Sequence, residues 1–178
     1  MRSPRLQPTN SETPMQSSWR KPKEADKRLK LETVNLSRVV DGKVLVDAVT
    51  MQVQPGAVLA VLGPSGAGKS SFLRLLNRLD EPTAGTVLLE GQDYRSIAPQ
   101  QLRRRVGMVM QTPFLFPGTV AANIDFGPGQ AGRQLDAHEV SALLERVGLP
   151  GYEERQVHTL SGGEAQRVSL ARTLANRP

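Results

Sequence analysis

Apolar and polar residues alternate along residues 29–36 and again along 44–53, the second stretch closing at Pro55-Gly56. A period of two places every second side chain on one face of a sheet, so both stretches are predicted as antiparallel strands. Residues 57–62 (AVLAVL) are continuously apolar, the pattern of a central strand buried on both faces, and they run directly into Gly63. Phe72, Leu75, Leu76 and Leu79 then fall at i, i+3, i+4 and i+7, the stripe of a helix packed on a sheet. Strand, glycine-rich loop and helix therefore follow one another.

Further along, residues 81–85 (EPTAG) read as a turn and 86–89 as a short strand. Pro99 suits the first position of a short helix through Arg104, and 106–110 (VGMVM) form the next apolar strand, ended by Gln111. Asp136 and Glu139 have the spacing of a capping box. Behind them, Val140, Leu143, Leu144 and Val147 make the inner face of a helix that Gly148 stops. Ser161-Gly162-Gly163 opens a last helix reaching Ala175, so 118–176 read as a largely helical subdomain after a strand-rich first half.

Charge changes this picture at one end only. The 178 residues carry a net +6, but residues 1–30 hold eight Lys and Arg against Glu12, Glu24 and Asp26, a net of +5. The remainder is nearly neutral, so no nucleic-acid partner is expected, and with Trp19 its single aromatic residue the basic segment reads as a solvated tail. Residues 1–28, rich in Ser, Pro, Lys and Arg without an apolar period, are expected to be a disordered basic extension. An untargeted extension and an organelle transit peptide share that composition. The absence of Cys excludes disulfides, thiolate zinc sites and a cysteine nucleophile. No apolar run is long enough to span a bilayer, so membrane association has to come through a partner.

Two glycine-rich strings carry the chemistry. Gly63, Pro64, Ser65, Gly66, Ala67, Gly68, Lys69 and Ser70 match G-x-x-x-x-G-K-[ST] at every fixed position, between a predicted strand and a predicted helix. Glycines let successive backbone N–H groups turn inward as an anion nest at the positive end of a helix. Lys69 adds a full charge against β/γ phosphates, and the Ser70 hydroxyl, with Ser71 following it, lies where Mg²⁺ accompanies the nucleotide. The second string is LSGGEAQR, in which Ser161 is a good N-cap while Gly162 and Gly163 leave N–H groups open to a second phosphate.

LSGGEAQR downstream of a P-loop closely resembles the signature of ATP-binding cassette (ABC) proteins, and the resemblance covers about residues 29–178. It implies an α/β P-loop NTPase of ABC type, with a mixed sheet core, an antiparallel β subdomain and a helical subdomain, incomplete at the C-terminus. It implies that Gln111 is the loop glutamine reaching Mg²⁺ and the attacking water, and that Ser161, Gly162, Gly163 and Gln166 touch ATP held by a second copy. The cofactors it implies are ATP and Mg²⁺, with Lys69 and Gln111 expected to be catalytic and Ser70 and Gln111 expected on the metal. The partners it implies are a second copy paired head to tail and a transmembrane permease subunit, which would put the protein peripherally at the cytoplasmic face of a membrane. Residues 112–128, with Phe114, Leu115 and Phe116 at their start, resemble the segment that docks the membrane subunit; in isolation those three side chains read equally as core.

Three departures qualify the resemblance. The aromatic residue that stacks on adenine in this family aligns with Val40 or Val39, neither of which can stack. The Asp-Glu pair that follows an apolar strand beyond the signature helix has no counterpart in residues 1–178, and neither His138 nor His158 occupies the place of the switch histidine. The 178 residues alone are thus expected to bind ATP with little or no hydrolysis. Within the family, NRLDEPTAG, LRRRVGM and FPGTVAANIDFGP look most like phosphate-importer ATPases and their relatives. A soluble ABC ATPase working on nucleic acid or ribosomes, and a binding-only module, are the alternative functions.

Overall fold

The computed structural model describes residues 30–178; the predicted basic extension and Leu29 lie outside the described residues. The chain opens with a hairpin of β1 (Leu31–Val40) and β2 (Lys43–Val53), turned by Asp41-Gly42 with both residues in the left-handed region that such a turn requires. β3 (Ala84–Leu89) and the short β4 (Gln92–Asp93) complete an antiparallel sheet in the order β2-β1-β3-β4. β1 is interrupted by a bulge at Asn35, where φ is 46°. Fully buried Thr33 bridges β1 to β2 by donating its hydroxyl to the Val49 carbonyl and accepting from the Met51 N–H.

Helix α1 (Lys69–Leu76) lays Phe72, Leu75 and Leu76 on this sheet. They join Leu36, Val46, Val87, Leu89 and Leu102 in a first core, each such side chain contributing roughly 1.5–3 kcal/mol on burial. Leu79, placed on the same stripe by its spacing, lies beyond the end of α1 and is exposed. α2 (Pro99–Arg105) starts on its proline, as its sequence predicts, and supplies Leu102.

A second core belongs to the helical half. α3 (Val120–Gln130), α4 (Ala137–Arg146) and α5 (Gly162–Ala175) enclose Val120, Ile124, Val140, Leu144, Leu149, Val168 and Ala171. The predicted capping box of α4 is present: the Asp136 carboxylate accepts from Glu139 N–H while Glu139 accepts from Asp136 N–H. Thr119 caps α3 in one direction only, its hydroxyl accepting from Ala122 N–H.

The structure corrects two predicted elements. Residues 57–62 form no strand and are open to solvent, with Val58 98% and Leu62 87% exposed, and 106–110 form no strand either. A strand exists through its hydrogen-bonded neighbours, and among the described residues β1, β2, β3 and β4 pair with one another and leave neither apolar run a ladder partner. The sheet is accordingly antiparallel throughout the described residues, where a mixed sheet was expected.

Candidate functional site

The 63–70 loop leads from the exposed 57–62 run into α1. Gly66 and Gly68 take φ of 82° and 80°, which lets the loop turn back on itself before the helix begins. Gly68 has a second reason to be glycine, because a Cβ there would overlap the Leu45 carbonyl oxygen of β2. The hairpin thus presses on the loop from one side, and an apolar groove of about 540 Å³ between them is lined by Val44, Leu59, Leu62, Phe72 and Lys69.

α1 begins without a side-chain cap and without an acidic residue in its first turn. Its first intrahelical bond runs from Phe72 N–H to the Gly68 carbonyl, leaving the N–H groups of Lys69, Ser70 and Ser71 ahead of the helical ladder. No side-chain cap and no acidic residue of the first turn answers those donors or the dipole, the condition under which a helix start takes a phosphate. Lys69 Nζ meanwhile donates to the carbonyls of Gly63 at 2.8 Å and Pro64 at 2.7 Å, so its charge is parked on the loop it would serve. Ser70 is exposed beside it. Among the described residues no group of three or more His, Asp or Glu could cage a metal by itself. That donor set fits a hard cation that arrives with phosphate oxygens and takes only one or two neutral oxygens from the protein.

The second glycine string is held from within. Ser161 caps α5 through Glu164 N–H, and Glu164 returns the bond to Ser161 N–H and also accepts from the Ser161 hydroxyl, a full capping box that the S-x-x-E spacing already signals. Tyr152 donates its hydroxyl to the other carboxylate oxygen at 2.6 Å, with Arg155 at 3.5 Å. The Tyr152 hydrogen bond, followed by those from Ser161, pulls the Glu164 carboxyl from 4.5 down to about 2. Ser161, Gly162 and Gly163 themselves stay exposed. Since the folded-state value is depressed, the stabilisation is complete above about pH 4.5 and is lost as pH falls toward 2. Tyr152→Phe is therefore expected to move the acid loss of helical circular dichroism to higher pH, with the two proteins converging below about pH 2; superimposable acid titrations would contradict this.

Gln111 is exposed on the segment that joins α2 to α3. The structure does not bury the phenylalanines that follow as a group: Phe114 is 69% exposed while Leu115 packs on the second core. Phe116 stacks against Phe126 at 4.3 Å and meets Phe114 edge-on at 5.6 Å. Buried Asn123 fixes Phe116 on both sides, accepting from its N–H and donating to its carbonyl, each at 2.9 Å. Gln166 does not join Ser161, Gly162 and Gly163 at the surface; its amide donates inward to the Met110 carbonyl at 2.8 Å. Neither Asn123 nor Tyr152 carried a local signal in the sequence, because each acts on a partner brought near by folding.

This arrangement is that of an α/β P-loop NTPase, and known proteins agree with it. The family model described as ABC transporter matches residues 46–178. ABC transporter I family member 17 of Arabidopsis thaliana is 47% identical over 151 residues, 84% of this chain and 57% of that protein. The spermidine/putrescine import ATP-binding protein PotA of Nitrosospira multiformis is 45% identical, over 83% of this chain and 41% of its own length. The solved structure of CbiO1 from Clostridium perfringens, described as part of the ABC transporter complex CbiONQ, superposes with a TM-score of 0.73 at 27% identity, covering 85% of this chain and 63% of that one. The chain belongs to the ABC transporter family, as its ATP-binding domain. It spans about half the length of the curated relatives it matches. No helix among the described residues is long and apolar enough to cross a membrane.

Proposed function

We propose that this chain is the ATP-binding part of a transport ATPase that works as a head-to-tail pair. Each ATP lies between Gly63, Gly66, Gly68, Lys69, Ser70 and Ser71 of one copy and Ser161, Gly162 and Gly163 of the other. The observation that carries this reading is the start of α1, where a lysine, free N–H groups and an uncapped helix end converge with no acidic residue in the helix's first turn to answer them. Both glycine loops are exposed, so each is open to a partner.

In the mechanism proposed here the triphosphate replaces the Gly63 and Pro64 carbonyls as the acceptor for Lys69 Nζ. Ser70 and Gln111 would hold Mg²⁺, which would supply charge neutralisation at the transferring phosphoryl group. Gln111 orients the attacking water, and the amides at Gly162 and Gly163 take the phosphate from the far side. Val39 and Val40 offer an aliphatic surface at the end of β1, so affinity rests on the phosphates more than on the base. ATP closes the pair and hydrolysis by the whole protein reopens it, driving a membrane subunit seated on the exposed Phe114 surface. The cargo proposed from the importer-like strings is phosphate or another small solute.

Ser161→Asp tests the pairing. Asp136 with Glu139 demonstrates that this chain accepts an Asp N-cap in a capping box, so α5 should stay folded while a carboxylate now faces the incoming phosphate. The expected result by sedimentation is a monomer at every MgATP concentration that dimerises the unaltered protein, with the thermal midpoint retained. Unchanged ATP-driven dimerisation would remove the role assigned to the second loop.

A further inference from the structure

Helix α5 grips the Gln111 loop on both sides. Gln166 Nε2 donates to the carbonyl of Met110, the residue before Gln111, at 2.8 Å, and Arg172 Nη2 donates to the carbonyl of Phe114, three residues after it, at 2.7 Å. Arg172 also lies 5.5 Å from the centre of the Phe116 ring. A third contact comes from Gly107, which packs so tightly on the Thr173 methyl that a Cβ would require one of them to move. Gln111, Thr112 and Pro113 are thus a three-residue span suspended between two side chains of one helix. The helix that suspends them begins at Gly162, one residue beyond the Ser161 cap.

The grip has no slack. Gln166 Oε1 and Arg172 Nη1 are buried without a hydrogen-bond partner among the described residues, so each side chain's polar contact with the loop is made by its other terminal nitrogen, Nε2 or Nη2, alone. Movement of the Met110 carbonyl therefore either drags Gln166 with it or breaks the bond between them.

We propose that Gln166 is a positioning residue acting within its own chain: it holds the Gln111 loop in place, and through α5 it ties the position of that loop to the Ser161-Gly162-Gly163 loop. The consequence for the paired protein is that the loop reporting on a chain's own nucleotide and the loop touching its partner's nucleotide move as one body. This rests on the roles given above to Gln111 and to the second glycine loop.

Amide hydrogen exchange on the full chain, with and without MgATP, tests it. In the absence of nucleotide, Gln166→Met, which keeps the size and loses the donor, is expected to speed exchange over 111–116 by about fivefold to tenfold, the loss of one hydrogen bond, while the second half of α5 is unaffected. Gln166→Glu, which opposes an acceptor to the Met110 carbonyl, should do the same despite its nearly identical shape. Unchanged exchange over 111–116 in both variants overturns the positioning role. In the unaltered chain, MgATP should slow exchange at 162–165 as well as at 66–72, and in Gln166→Met the response at 162–165 should disappear. Protection at 66–72 with no change at 162–165 in the unaltered chain, or an equal response at 162–165 in Gln166→Met, overturns the link through α5. Absence of protection at 66–72 counts against the P-loop reading alone, since the nucleotide-free comparison already decides the positioning role.

Discussion

Replacing Lys69 with alanine is expected to weaken MgATP binding by at least about a hundredfold, measured by isothermal titration. Its ammonium now rests on the Gly63 and Pro64 carbonyls, neutral acceptors that a triphosphate outcompetes. Two opposite unit charges about 4 Å apart at an effective dielectric near 20 interact by about 4 kcal/mol, and a hundredfold in affinity requires about 2.7 kcal/mol of that. No cap and no acidic side chain stands at the start of α1 to compete with the phosphates. The loop is exposed and its lysine bonds nothing outside it, so the thermal midpoint should not move. Unaltered affinity in a folded Lys69→Ala protein would overturn the assignment of the 63–70 loop to nucleotide.

Gly85→Ala is expected to cost about 3 kcal/mol or more in urea unfolding, a large effect for adding one methyl group. At φ 76° an L side chain is strained whatever the space around it, by about 1–2 kcal/mol. The methyl would also overlap the carbonyl oxygens of Val34 and Asn35. Those carbonyls belong to the bulge of β1, where pairing with β3 jumps from Val34↔Thr86 to Ser37↔Ala84, and β1 is an inner strand of the sheet. Gly91→Ala separates the two effects, because Gly91 has φ 82° with nothing within 4 Å of its missing Cβ. Equal losses in the two variants would mean that backbone conformation alone accounts for the cost.

Helices were the most legible part of the fold. Pro99 at the first position of α2, the Asp136 and Glu139 box of α4 and the Ser161 cap of α5 each act within four residues, so the sequence string contains the whole interaction. The 63–70 loop was legible for the same reason: its glycines, lysine and serine are contiguous. Strands were legible where a hairpin supplies the partner nearby, as for β1 and β2 across Asp41-Gly42. The runs at 57–62 and 106–110 have the composition of buried strands, yet apolar composition supplies no hydrogen-bonding neighbour, and among the described residues they have none.

By itself the sequence determined the local chemistry of this protein: which segments turn, where helices start, and which two glycine-rich strings are proposed to take phosphate. Tertiary structure decided how those sites are held and connected. Gln166 reaches Met110 across 56 positions and Arg172 reaches Phe114 across 58, while Leu45 fixes which residue Gly68 must be. The physical reason is range. Capping, turn formation and periodic burial are settled among neighbours along the chain, whereas a carbonyl's distant donor is chosen when whole elements pack.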